Sequence, residues 1–211
     1  MTFSKSILIL ALLLCAVPCS VGQSTSPSDS TTSGNAYMNF YFRIRYEFTA
    51  SWIPLANATP DQIHQFNLDS VSTSCLHPDR DARTVGSQDL LTLLRKLPKT
   101  MQYADRYAAI LVVAEKLPPD SGVQTGKDCS LKLSEYLEGK GYSLLGKAGE
   151  LQIGEHTFSR QDLRGNSKTG AVYEALMYTT MRGYTIGIIL VAPSQQMLET
   201  TANTLRGFSF F

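Results

Sequence analysis

From Phe40 the chain alternates. Phe40, Phe42, Ile44, Tyr46 and Phe48 fall on one side, and Asn39, Tyr41, Arg43, Arg45 and Glu47 on the other. Period 2 predicts a half-buried strand. Ala50-Ser51 supplies a turn, and Trp52 opens a short second strand that Pro54 stops. Thr59, Pro60 and Asp61 then read as a cap and first helical turn. With Ile63, Phe66 and Val71 as a weak apolar stripe, they predict a short helix. Residues 72–88 are polar loop. Leu90, Leu91, Leu93, Leu94 and Leu97 fit a helix or a short buried strand, and propensity alone favours the helix. Ile110–Val113 is a β-rich run and predicts a central strand. Asp128 is the predicted N-cap of a helix with Cys129, Leu133, Tyr136 and Leu137 on one face, ended by Gly139 and Gly141.

Three strands follow: Leu151–Leu163 with Gly154 as a bulge, Ala171–Met181, and Tyr184–Ala192. RGNSKTG joins the first two and Arg182-Gly183 turns between the last two. A helix starts at Pro193-Ser194, turns Met197, Leu198, Thr201, Ala202 and Leu205 inward, and ends at Gly207. The stretch MYTTMRGYTIGIILVA (177–192) is apolar, but a charge and a turn at its middle exclude a membrane-spanning helix. Ile186–Ala192 is apolar on both faces, so both faces need covers, and the two helices are the available ones. The prediction is an α/β (α+β) fold: a layered α/β/α sandwich with a mainly antiparallel central sheet.

The first residues differ in kind. Lys5 precedes an apolar run, Ile7–Val17, about half the roughly 20 residues that a helix needs to cross a bilayer. Ser20 and Gly22 then offer small residues to a signal peptidase. Residues 1–22 are read as a signal peptide cut between Gly22 and Gln23, with cleavage after Cys19 as the lesser option. Lipid attachment at Cys19 is disfavoured by Pro18 before it. The Ser/Thr-rich residues 23–35 read as a disordered linker, and the folded domain is expected over 36–211.

The net charge is +1, and removal of Lys5 with the leader leaves acidic and basic side chains balanced. That gives no electrostatic footprint for nucleic acid. Two of the four cysteines, Cys15 and Cys19, leave with the leader. Cys75 and Cys129 remain, an even count that suggests one disulfide in an exported chain, with two free buried thiols as the alternative.

The order of elements resembles the PsbP-like fold group of small α/β/α sandwich domains. YFRIRYEFTASWIPL (41–55) and YEALMYTTMRGYTIGIILVAPSQQMLETTANTLRGFSF (173–210) carry the resemblance. The turn Thr49-Ala50-Ser51 departs from it, because a Pro and Gly turn is usual there. The resemblance pulls the leucine segment 89–97 toward strand. It implies a scaffold rather than a reaction: the group includes an extrinsic photosystem protein, a small-GTPase-binding nuclear import factor and many exported bacterial proteins. The leader fits the exported bacterial members, periplasmic or secreted, and does not fit a nuclear role.

No catalytic constellation is legible. His64, His77 and His156 lack metal-ligand spacing, and Cys75-x-His77 is a lone pair where zinc needs three or four ligands. No G-x-S-x-G, H-E-x-x-H or Walker-type loop is present. Cys75 or Cys129 with His64 or His156 as base is the one nucleophile pairing to weigh. Asp79–Arg83 reads as a solvated loop, and Trp52 as packed under a sheet edge rather than as an interface anchor. No catalytic, cofactor or metal residue is assigned. The reading is an exported, non-catalytic binding or assembly domain of the cell envelope. Its partner is an envelope protein or a small apolar ligand, and it has no membrane span once the leader is gone. The alternative is an envelope hydrolase with a dispersed site.

Overall fold

The structure is a computed structural model that describes residues 26–57, 74–79, 87–96, 107–167 and 170–211. The leader, its cleavage point at Gly22 and Gln23, and the helix expected after Thr59 lie outside the described residues.

A small sheet comprises β1 (Ser30–Ser33), β2 (Ala36–Asn39), β3 (Ile44–Glu47) and β12 (Phe208–Phe210), in the order β1-β2-β3-β12. The main sheet holds eight strands: β4 (Ile53–Pro54), β5 (Ser87–Lys96), β6 (Tyr107–Lys116), β7 (Ser143–Leu144), β8 (Gly149–Ile153), β9 (His156–Ser167), β10 (Gly170–Met181) and β11 (Tyr184–Ala192). Its order is β4-β5-β6-β11-β10-β9-β7, with β8 also on β9. Every pairing in both sheets is antiparallel. Helix α1 spans Gly126–Gly139 and α2 spans Gln195–Asn203. The fold is α+β.

The central strands β6, β11 and β10 are buried on both faces. Ile110, Val112, Met177, Ile188 and Leu190 enter one core, with Ile44, Tyr46, Trp52 and Phe208 from the small sheet side and Leu198 from α2. Leu111, Val113, Leu176 and Ile189 enter the opposite core, with Cys129, Leu133 and Leu137 from α1. One face is therefore covered by α2 together with a second sheet, and the other by α1. Period 2 sorts the residues between the cores.

Several local expectations change. The leucine segment is strand β5; a register shift between Asp89 and Leu91 lets both Leu90 and Leu91 reach the same core. Such a bulge is why its pattern imitated a helix. Gly154 is not a bulge. It takes φ +57° in the tight turn joining β8 to β9. Most of RGNSKTG is strand, since β9 runs to Ser167 and β10 starts at Gly170. Asp128 is not the N-cap of α1. Thr125 is, and Asp128 completes a capping box by accepting the Thr125 N–H at 2.8 Å. The buried run Phe42–Phe48 keeps its alternation, but a turn at 40–43 breaks it and leaves Phe40 exposed. Ser30–Ser33, assigned to the disordered linker, pairs with β2. All four side chains are exposed, so this strand is held by its backbone ladder and carries no apolar signal.

Cys75 and Cys129 form a disulfide across 54 residues, which on the chain-entropy account is worth roughly 3–4 kcal/mol. It ties the segment Ser74–Asp79 to the first half of α1. Glu115, buried at the end of β6, holds the same segment. Ser74 Oγ donates to Glu115 Oε1 at 2.6 Å, and the Leu76 N–H donates to Oε2 at 3.4 Å.

Gly126 sets how closely α1 approaches. A Cβ there would lie 1.9 Å from the Tyr178 carbonyl oxygen, so the helix start must lift off β10. Gly126→Ala is expected to lower stability by about 2 kcal/mol or more. Urea unfolding checks this; an unchanged midpoint would mean that α1 is not seated as described.

Candidate functional site

The residues with the most reactive chemistry are dispersed. His64 is outside the described residues. His77 follows the disulfide, and its backbone N–H bonds Ser74 Oγ at 2.9 Å. His156 starts β9 and stacks on Phe210 with ring centroids 4.3 Å apart. His156 is on the small-sheet side while Cys129 lies under α1 on the other, so this pair does not meet. Both sulfurs are bonded to each other, which removes them as nucleophiles. Among the described residues no three His, Cys, Asp or Glu side chains are grouped to hold a metal ion. No helix among them is long and apolar enough to cross a membrane. Trp52 is a core residue, 2% exposed, with the Arg95 guanidinium 6.0 Å from its ring centre. Of the charged loop Asp79–Arg83, only Asp79 lies within the described residues.

One buried acid stands out. Glu174 on β10 is 1% exposed, and Tyr142 Oη donates to its Oε1 at 3.0 Å. Its Oε2 has no hydrogen-bond partner. The Tyr142 ring reaches this point by lying over Gly165 of β9, where a Cβ would come within 2.4 Å of it. Burial pushes the Glu174 carboxyl up to about 7, with the Tyr142 bond opposing only part of the rise. Burial, then the Glu174 charge, pushes the Tyr142 phenol up as well. Sequence reading missed Glu174; a lone acid in a strand otherwise read as central was the available signal.

A shallow cleft of about 350 Å3 lies where β1 nears the β4–β5 edge, lined by Thr32, Pro54, Leu55 and the bulged Asp89–Thr92. Thr92 Oγ1 donates to the Asp89 carboxylate at 2.9 Å and 3.0 Å.

At one end of the molecule two hairpin turns meet. Arg43 and Arg182 are the described non-glycine residues with positive φ, at +56° and +51°. Arg182 sits in the two-residue turn between β10 and β11 with Gly183 at φ +76°. Its guanidinium lies 5.6 Å from the Tyr41 ring centre and donates to the Tyr41 carbonyl. Tyr41 in turn packs edge-on to Tyr184 at 5.9 Å. Phe40 and Phe211 are 42% and 53% exposed, and the Phe211 N–H donates to the Arg43 carbonyl at 3.0 Å. Aromatic rings and cations thus come together at this end.

No protein-family profile and no curated protein matches the sequence. Solved structures do. The chain is similar to cyanobacterial PsbP (CyanoP) from Synechocystis sp. PCC 6803, at 11% identity over 86% of this chain and 98% of that one, TM-score 0.48. It is similar to LpqN, involved in cell envelope biogenesis of Mycobacterium tuberculosis, at 10% identity over 79% and 82%, TM-score 0.43. It is also similar to the Saccharomyces cerevisiae Ran-binding protein Mog1p, at 10% identity over 82% and 85%, TM-score 0.41. The likeness is one of overall fold, at 10–11% identity.

The buried acid makes a prediction with a definite sign. A carboxyl raised from 4.5 to about 7 favours the folded state while protonated. That stability is fully present below the ordinary carboxylate range and is lost as pH rises through about 7. Glu174→Gln keeps an acceptor for Tyr142 and removes the charge. The variant should gain on the wild type between pH 5 and pH 8 by on the order of 2 kcal/mol. Urea titrations at the two pH values measure it, and an equal gap at both would show that Glu174 is ionised without penalty.

Proposed function

We propose that the chain is an exported, non-catalytic binding or assembly domain of a bacterial cell envelope, released from its leader between Gly22 and Gln23. The observation that carries this is the Cys75–Cys129 bridge. Both cysteines are fully buried and the bond joins a short segment to the covering helix, so it is a structural bridge. Such bonds persist in oxidising compartments and are rare in the cytosol. The leader pattern at the N-terminus points to the same compartment independently.

The non-catalytic reading rests on how the chemistry is spent. Both thiols are in the bridge and the described histidines lie on opposite sides of the sheet. Glu174, the described carboxyl with a strongly raised pKa, is sealed beneath Tyr142. The hydrolase alternative retains no thiol nucleophile and would need a serine or carboxylate beside a histidine. The partner is an envelope protein. A small apolar ligand is the second reading, favoured by the cleft whose floor is Leu90 and Leu91.

Mass spectrometry of the protein purified from its own envelope without reductant tests the reading. The expected mass is that of residues 23–211 less two hydrogens. A chain with two free thiols would remove the basis for export. Acyl chains on Cys19 would make it an anchored lipoprotein instead.

A further inference from the structure

We infer that the surface formed by the turns at Phe40–Arg43 and Arg182–Gly183 docks on an anionic phospholipid bilayer. The inference rests on the envelope reading above and names what one surface of that domain touches. Four large apolar side chains are exposed among the described residues: Phe40, Leu131, Leu144 and Phe211. Two of the four flank Arg43, one through the chain and one through the Phe211 N–H to Arg43 carbonyl bond. Neither Arg43 nor Arg182 pairs with a carboxylate; the described ion pairs are made by Arg45 and Arg160. Lys116 is also exposed and lies opposite Tyr184 in the ladder, beside the same turn. Asp29 adjoins the surface through its backbone, its carbonyl accepting the Phe40 N–H at 3.0 Å.

Exposed aromatic rings beside unpaired arginines match the interface of a bilayer, where rings sit at headgroup level and guanidinium groups meet phosphates. The shape favours this over an acidic protein. Protein hot spots seat aromatics in pockets, whereas Phe40 stands exposed on a hairpin turn and Phe211 just beyond β12, which a soft interface accepts. The chain also enters the fold here. Asn39 Nδ2 donates to the Pro27 carbonyl at 2.7 Å, so the segment following the apolar leader emerges beside this surface.

The backbone supplies a discriminating variant. Positive φ disfavours arginine and is tolerated by asparagine. Relief at both backbones offsets the loss of the Arg182 contacts with Tyr41, so the double variant Arg43→Asn/Arg182→Asn should fold about as well as the wild type while losing both charges. Protein from the exporting host is mixed with vesicles of phosphatidylcholine alone, or of phosphatidylcholine with an equal part of phosphatidylglycerol, and sedimented. The wild type is expected to sediment with the anionic vesicles only and to be released by salt. The double variant should partition about thirtyfold more weakly, roughly fivefold for each arginine, with an unchanged disulfide and urea midpoint. Phe40→Ser should weaken it alone. Equal partition of wild type and variant, binding to both vesicle types alike, or binding to neither would overturn the proposal. Capture on polyglutamate without vesicle binding would replace the bilayer by an acidic polypeptide. None of these outcomes depends on the disulfide state that tests export, so the two readings fail separately.

Discussion

Strand β11 has no polar face, and that constraint organises the molecule. Ile186, Ile188, Leu190 and Ala192 point one way and Ile189 the other, all buried. A strand of this kind placed at an edge would leave apolar surface in water on at least one side. It sits instead between β6 and β10, and both faces are covered. Close approach is then demanded at particular points. Gly187 accepts the Tyr178 ring, which a Cβ there would meet at 2.5 Å. Gly165 does the same for Tyr142 and Gly126 for the β10 backbone. Gly126 and Gly165 are where α1 and Tyr142 come within contact distance of the sheet, and Gly187 is where the ring of its cross-strand partner Tyr178 lies over β11.

The segments packed on the two sides of the main sheet differ in apolar content and are secured differently. The small sheet and α2 contribute Phe42, Ile44, Tyr46, Phe208 and Leu198, so burial alone can seat them. Ser74–Asp79 has little to bury besides Cys75 and Leu76. It is held by a covalent bond to α1 and by the buried carboxylate of Glu115. Taking a carboxylate out of water is unfavourable unless hydrogen bonds satisfy it, and Ser74 and the Leu76 N–H do so. The polar clamp stands where the hydrophobic effect has too little surface to act on.

What was legible in the sequence follows from this division. The strands Ala171–Met181 and Tyr184–Ala192 and the two helices with clean stripes were found at nearly their observed bounds, whereas the alternating run 40–48 is strand only over Ile44–Glu47, Ile110–Val113 is the middle of a longer strand, and 151–163 divides into β8 and β9. β1 was missed because a strand of Ser and Thr with every side chain exposed has no periodicity to read. β5 was ambiguous because its bulge shifts the phase of the leucines. Asp128 was misplaced by one role, since a capping box uses two polar residues and either alone resembles the cap. Glu115 and Glu174 are isolated acids whose meaning depends on what lies over them. That is a property of tertiary packing, and no local pattern carries it. The turn at Phe40–Arg43 was hidden because Phe40 continues an alternation that the backbone has already abandoned.

The same constraint limits where function can reside. Both faces of the central strands β6, β11 and β10 are consumed by packing, and each cover has its own apolar side turned inward. A binding surface must therefore use a strand edge, an outer helix face or the turns at the ends. The β4 edge is two residues long, too short to template an added strand. Leu131 on α1 and Leu144 on β7 are exposed positions on separate elements. The hairpin end differs on each count. Its exposed rings both lie near Arg43 along the backbone, its arginines make none of the described ion pairs, and both arginines occupy a backbone region that glycine or asparagine would fill with less strain. Strain at a turn is tolerated where the surrounding structure or a bound partner holds it. Tyr41 holds Arg182 through its ring and its carbonyl, whereas no side-chain contact holds Arg43. The Arg43 backbone is held by the Phe211 N–H on its carbonyl and by the turn that Asn39 Oδ1 closes on the Phe42 N–H, so its positive φ is supported locally while its guanidinium stays exposed.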